Sequence, residues 1–514
     1  MERAALPSSW VQRALEIVVG LVSVLLMTSP MWAGILFPRA WSWAFLGFAI
    51  YWLAKTANLA FQSVRTVRTM QTWDRYPWAE QGRRHPRWRR LHHLVVFPTY
   101  QEPLAVLEES LGYLLRQDVP RDRIAVLVAF EARDIAAPLK AKQLHERFGH
   151  AFGRFWTTSH PLRSGEVPGK AANLAYAVPR ATRALVEEVG VALDDVLVTI
   201  CDADSRLHPK YLSAVACQYL TGPPGQHHLY QPAVLFHVNL HRVPGPFRVL
   251  NGLYSAILLA KLGRKHSLVS QSTYSLGLAT CAAVNYWDVD VISEDSHLFF
   301  KVFLRLGPGV TVRPIFLPVW ADAAEGRTGW ATLQAHYRQT RRWAWGIADV
   351  PYLLWHGARA AHLPRWQRGA RIGQYVKEHL LWTSHWFLLT GGLNFVAYAA
   401  PASADTAQAA QIQGWVSVLL LACLPGLLVV AWVDRQVRAR YAPPSPPPER
   451  WPHLAHWLLL PVVGFFAAVL PGVDAHLRLL VGRRLAYEVT AKLAPASDTA
   501  TPPTPATPGQ LLRP

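Results

Sequence analysis

VLVTICDAD, residues 196–204, is a fully apolar run of strand length that stops on two aspartates with one small residue between them. Two other runs share that form. LVVFPTYQEP (94–103) ends in polar and acidic residues, and IAVLVAF (124–130) ends at Glu131. Apolar residues at helical spacing follow the first of these, in LAVLEESLGYLLRQ (104–117). Continuous apolar runs, without the alternation of a half-exposed strand, belong to strands covered on both faces, so a parallel α/β sheet is expected. Ligands of such sheets bind beyond the carboxyl ends of the strands, where these acidic residues stand.

Outward from this α/β region, from about 92 to 360, the chain becomes apolar on both sides. Residues 14–37 and 41–61 are each apolar over roughly the 20 residues needed to cross about 30 Å of hydrocarbon, and read as a transmembrane hairpin over 1–61. A second span following within a few residues argues against a cleaved signal peptide. Arg65, Arg68, Arg75 and the cluster RRHPRWRR (83–90) come next, and positive charge beside a span marks the cytoplasmic side. Lys55 can snorkel to the headgroups there. The soluble part, 62–360 with its interfacial helices, is therefore expected in the cytosol. Apolar stretches return at 379–400 and 415–433 within a segment 361–433, and the loop between them, PASADTAQAAQIQG, lacks Lys and Arg. A basic, Pro-rich cytosolic loop (434–453) follows. Segment 454–493 contains Pro461 and Pro471-Gly472, and is expected as a re-entrant or interfacial pair of short helices. The Pro/Thr/Ala-rich end, 494–514, reads as a disordered tail.

Composition agrees. The chain has 514 residues, 51% of them hydrophobic and 17% charged, with 22 Trp, which excludes a disordered or coiled-coil protein. Its net charge of +19 lies largely beside the spans, where anionic membrane lipid accounts for it without nucleic acid. The four Cys have no paired spacing, so neither a disulfide framework nor a zinc site is indicated.

Four motifs carry chemistry. Asp202 and Asp204 offer hard oxygen ligands of the kind Mg²⁺ or Mn²⁺ takes together with substrate phosphates, or else cap the helix that follows. GKAANLAYAV (169–178) puts Gly169 and Lys170 at a helix start, where an anionic phosphate can be met. ISEDSHLFF (292–300) puts Ser293, Glu294 and Asp295 immediately before another helical run, where an N-cap with acidic first-turn residues is the ordinary alternative. HYRQTRRWAWG (336–346) carries Gln339, Arg342 and Trp343, on a helix that could equally lie on lipid.

In this order and at roughly this spacing, FPTYQEP, Asp-Ala-Asp, the Glu-Asp of ISEDSHLFF and the Gln-x-x-Arg-Trp of QTRRW resemble the membrane-embedded family 2 glycosyltransferases, the class of cellulose and hyaluronan synthases. The resemblance implies an α/β fold with a cytosolic GT-A-type (Rossmann-like) glycosyltransferase domain inserted between transmembrane helices, in an integral membrane protein of a bacterial plasma membrane. It implies that Thr99, Tyr100, Glu102 and Glu131 line the nucleotide pocket, and that Lys170 and Asp202 lie near the base and diphosphate. Asp204, with Asp202, would hold Mg²⁺ or Mn²⁺; Asp295, with Glu294 beside it, would be the general base; Gln339, Arg342 and Trp343 would hold the diphosphate and the acceptor mouth. YEVTAK (487–492) looks like the gating loop of the cellulose synthases, with Thr490 and Lys492 as its polar residues. Gln101 and Glu131 depart from the family's usual Asn and Asp, and SQSTYSLGL (270–278) from its Gly-rich acceptor segment. The implied partners are a nucleoside diphosphate sugar, UDP-linked by preference, and a lipid-linked or polysaccharide acceptor. A transporter, or an inactive sugar-nucleotide-binding membrane protein, is the alternative; the acidic residues cluster in the soluble part rather than along a transmembrane path. One positioned carboxylate suffices for such transfer, because a diphosphate leaves without protonation, and single displacement inverts the anomeric centre.

Overall fold

The computed structural model describes residues 9–222, 226–264, 267–399, 407–441 and 456–486. At its centre lies an eight-stranded sheet ordered β3-β2-β1-β4-β7-β6-β8-β5. The three apolar runs of the sequence form β1 (His92–Thr99), β2 (Ile124–Glu131) and β4 (Val196–Ile200), and with β3 (Arg154–His160) they make the parallel half. Alternate residues of β1 feed two separate cores. Leu94 and Val96 pack with Leu174 and Val178 of the Lys170–Glu187 helix, while Val95 and Phe97 pack with Leu107 and Leu111 of the Leu104–Leu114 helix. Both faces are covered, which is why the centres of β1, β2 and β4 are almost continuously apolar.

The sheet is mixed rather than wholly parallel. β7 (Tyr274–Gly277) runs antiparallel to β4, β6 (His228–Leu235) antiparallel to β7, and β8 (Thr311–Trp320) parallel to β6, with β5 (Arg206–Leu207) antiparallel on its edge. Pro232, Pro314 and Pro318 interrupt the run-like appearance of β6 and β8, and the β6–β8 register slips between Pro232 and Ala233. That irregularity hides these strands from a hydropathy reading.

Four helices among the described residues are long and apolar enough to cross a membrane: Ser9–Leu36 (α1), Pro38–Arg75 (α2), Ala410–Tyr441 and Leu460–Val481. α2 does not end near residue 61 but continues unbroken to Arg75. The expected span 379–400 belongs to one 35-residue helix, Arg365–Ala399, which is outside that set, His379, His385 and Asn394 lowering its hydropathy, though it packs closely along α1. The 415–433 span extends as Ala407–Leu421 and Leu424–Tyr441, so residues 434–441, expected as loop, are helical up to two positions before Pro443. The pair of short helices expected in 454–482 is instead one run, Leu460–Val481. Pro461 sits in its first turn, and Pro471 is met by a π-helical turn at Phe465–Val469. This run packs both along α1, where His476 Nδ1 lies 2.7 Å from Ser23 Oγ, and on the domain. Leu460 and Val463 pack near Leu333, while Asp474 pairs with Arg341 at 2.9 Å and meets Tyr337 at 3.4 Å, both on the Gly329–Ala344 helix.

Candidate active site

The ends of β1 and β2 and the loops beyond them build one wall. Glu102 folds back on its own turn, its Oε2 accepting from Thr99 Oγ1 (2.7 Å) and from the Tyr100 amide (2.6 Å). Gln101 therefore adopts a left-handed backbone (φ 63°), and its amide donates to Asp134 Oδ2 at 3.0 Å. Arg133 closes this wall, donating to Glu131 Oε2 while its guanidinium stacks 4.5 Å from the Tyr100 ring. Lys140 bridges Asp134 (3.0 Å) and the Glu102 carbonyl (2.8 Å). Thr99, Tyr100, Glu102 and Glu131 thus stand together, held by Arg133, Asp134 and Lys140. Sequence reading missed these three; the Glu-Ala-Arg-Asp run after β2 is the only local signal for two of them.

A second cluster lies beyond β4. Gly169 caps the Lys170–Glu187 helix at φ 140°, ψ −169°, a region open essentially only to glycine, and so turns Lys170 inward. The Lys170 ammonium donates to Asp202 Oδ1 (2.8 Å) and the Ser272 carbonyl (2.9 Å) and lies 2.8 Å from Glu294 Oε1. Two of its three N–H groups are thus hydrogen-bonded, and Glu294 adds an ion pair. Lys170 therefore ties the Asp202 and Glu294 carboxylates together. Ser272, in left-handed backbone (φ 57°), links the cluster onward: its hydroxyl donates to Asp202 Oδ2 (2.5 Å) and its amide to Asp295 Oδ2 (2.7 Å). The other Asp295 oxygen accepts from the Ser296 amide at 2.7 Å. Both Glu294 and Asp295, at the start of the Glu294–Leu306 helix, therefore turn into one site, although ordinary helix geometry sends neighbours to different faces. Burial pushes the Glu294 carboxyl up to about 7 against the pull of Lys170, and pushes Asp295 upward too. Ser272 was legible only as part of an unusual segment.

Asp204, 4% exposed, stands on the same turn as Asp202. Its Oδ2 accepts from the Asp322 amide (3.0 Å), and Arg206 binds the Asp204 carbonyl, Asp322 Oδ1 (3.1 Å) and both oxygens of Glu109. Gln339, Arg342 and Trp343 share one face of the Gly329–Ala344 helix, by i, i+3, i+4 spacing. Trp343 packs on Phe236 beyond β6 (5.7 Å) and edge-on to Tyr254 (5.4 Å). Its link to the strand ends runs through Ala321, in the same small apolar cluster, and then Asp322. Thr490 and Lys492, with the rest of YEVTAK, lie outside the described residues.

Behind Asp295 sits a buried charge network. His297 lies between Asp349 (3.1 Å) and Asp288 (3.0 Å), and Lys301 reaches Asp288 at 2.7 Å. Burial opposes the imidazolium, but the two carboxylates outweigh it and hold His297 up to about 9. A folded value above the unfolded 6.5 gives stability that is complete below about pH 6.5 and is lost as pH rises through about 9, a contribution on the order of 3 kcal/mol. The thermal midpoint of the purified protein should accordingly fall between pH 7 and 9.5, and His297→Gln should flatten that slope. A flat wild-type profile would mean that the imidazole is buried neutral.

Comparison with known proteins gives one family match. The model described as glycosyl transferase family group 2 matches residues 197–468, more than half of the chain. No curated protein matches the chain. Among solved structures, the mannosyltransferase PcManGT from Pyrobaculum calidifontis, in complex with GDP-Man and Mn2+, is 19% identical, with 74% of this chain and 99% of that chain covered and a TM-score of 0.41. S. aureus TarS residues 1–349 is 13% identical, with 76% and 91% covered and a TM-score of 0.35.

Proposed function

The chain belongs to glycosyl transferase family group 2, and from that premise we propose that it is a membrane-bound inverting enzyme. It moves a sugar from a nucleoside diphosphate sugar, by preference UDP-linked, to a lipid-linked or polysaccharide acceptor at the cytosolic membrane face. The observation that carries this reading is the joining of Asp202, Ser272, Glu294 and Asp295 around Lys170 at the end of β4.

In this mechanism Asp295 accepts the proton of the attacking acceptor hydroxyl. Its carboxylate is fixed by the Ser272 and Ser296 amides, so a lone pair is held in one direction without reorganisation, and its upward-pushed pKa suits a base working near neutrality. Thr99, Tyr100, Glu102 and Glu131 line the nucleotide pocket. Lys170 keeps Asp202 and Glu294 in place. Gln339, Arg342 and Trp343 hold the diphosphate and the acceptor mouth, with Arg342 opposing the charge that develops on the leaving group. The donor chemistry of Asp204 and Asp202, hard oxygens on one turn at a strand end, fits Mg²⁺ or Mn²⁺ completed by substrate phosphates, and no set of three His, Cys, Asp or Glu side chains among the described residues offers a closed protein cage. Such an ion would neutralise diphosphate charge.

For topology we propose four crossings: α1, α2, Arg365–Ala399 and Ala407–Tyr441, with Leu460–Val481 lying along the cytosolic face. The contact of Asp74 at the end of α2 with Arg440 (3.4 Å) supports a common side for those two helix ends.

Incubation with a panel of UDP- and GDP-sugars, followed by product mass analysis, should give one preferred donor. No turnover and no hydrolysis of any donor would sink the enzyme reading. Asp204→Ala should abolish divalent-dependent turnover while the protein stays folded; transfer unchanged in that variant and in EDTA would reduce the Asp-Ala-Asp triplet to a structural turn.

A further inference from the structure

Away from the strand-end clusters, a cavity of about 240 Å³ opens between the ends of two apolar helices and the edge of the domain. It is lined by Asp74 at the end of α2, Tyr113, His208, Trp320, and Arg440 and Tyr441 at the end of Leu424–Tyr441. Trp320 stands 5.9 Å from both the Tyr113 and the His208 rings. Asp74 pairs with His208 Nε2 at 3.2 Å and faces Arg440 at 3.4 Å. Burial pushes the His208 imidazole down to about 4, so it is neutral at physiological pH.

The lining therefore presents one carboxylate and one guanidinium among three aromatic side chains, with the Lys210 ammonium close by on the Asp74 carbonyl. A phosphate or other anion would meet Asp74. An acyl chain would strand both charged groups away from water. A pyranose ring meets every part of this lining: its C–H faces lie on the aromatic rings, its hydroxyls donate to Asp74 and accept from Arg440. The volume is below the ~300–1,000 Å³ of sites for drug-sized ligands and suits a single ring.

We propose that this cavity is a saccharide site for one pyranose ring, separate from the donor site. It shares a frame with the chemistry. Trp320 pairs in register with Arg206, and Arg206 binds Asp322, whose amide holds Asp204. Tyr113 lies one helical turn after Glu109, the other partner of Arg206. A ring seated against Trp320 and Tyr113 thus touches both elements that fix Asp204. The site stands on its lining alone, and only its use in sugar transfer rests on the function proposed above.

The test is saturation-transfer NMR on the full chain in lipid nanodiscs, free of glycoside detergents, with common hexoses, N-acetylhexosamines and their disaccharides. At least one saccharide should give a signal that survives saturating UDP and GDP and whose affinity falls tenfold or more in Asp74→Asn and in Trp320→Leu. Tyr113→Leu, at a half-buried ring, replaces the Trp320 variant if that one does not fold. No saccharide signal, a signal removed by nucleotide, or affinity unchanged in the folded variants would overturn the site. Absent nucleotide-sugar turnover with an intact saccharide signal would overturn the transferase function and leave the site standing.

Discussion

Asp295→Asn is expected to lower turnover by about 10²-fold or more, while nucleotide-sugar affinity changes no more than a few-fold. An amide of the same shape cannot take up the acceptor proton. The structure adds a second, separable effect. Both carboxylate oxygens accept backbone N–H groups, from Ser272 and Ser296, each at 2.7 Å. Asparagine has one acceptor oxygen, so one of those amides would face an NH₂ group, at about 1–3 kcal/mol of stability. Turnover and thermal midpoint should both drop, and the turnover loss should persist at temperatures where the variant is fully folded. Glu294→Gln should be milder in turnover, because Lys170 keeps Asp202 and the Ser272 carbonyl. Normal turnover with weak donor binding in Asp295→Asn would make Asp295 a substrate ligand. A more damaging Glu294→Gln would move the base by one residue.

Lys170→Met is expected to destabilise the fold more than Asp295→Asn, Glu294→Gln or Asp204→Ala. It removes the counter-charge between Asp202 and Glu294, and Glu294 is 6% exposed. Breaking a buried ion pair from one side typically costs about 3–5 kcal/mol. The loss at Lys170 should fall near the lower end, since Glu294, already pushed up to about 7, can take a proton when the ammonium is gone. Adding Glu294→Gln to Lys170→Met should then recover part of the stability, a coupling that denaturation of both single variants and the double variant measures. Turnover should be lost in all variants lacking Lys170. A Lys170→Met protein as stable as the wild type, or a double variant no better than the single, would show that the ammonium does not balance these carboxylates.

Local pattern alone determined a good part of this protein. The three apolar runs became β1, β2 and β4, because strands covered on both faces need apolar residues without the usual alternation, a property written in consecutive residues. The carboxylates that end those runs stand at the strand ends for the same local reason. The apolar helices at both ends of the chain are likewise a matter of length and hydropathy.

Tertiary structure decided the rest. β6 and β8 contain prolines and stand as strands because they pair with each other, not because either segment has strand patterning of its own. The Leu460–Val481 run stays continuous because a π turn meets Pro471, an adjustment that local proline rules do not foresee. Above all, Lys170 reaches Glu294 and Ser272 from residues more than a hundred positions away, and Asp322 reaches Asp204 across a comparable distance. An ion pair depends on how sheet and helices bring chain-distant residues within about 3 Å, whereas hydropathy and spacing describe only neighbours along the chain. Asp202, Asp204, Glu294 and Asp295 could be named one by one from their motifs; that Lys170 and Ser272 bind three of these carboxylates into one cluster, while the Asp322 amide holds Asp204, followed only from the packed fold.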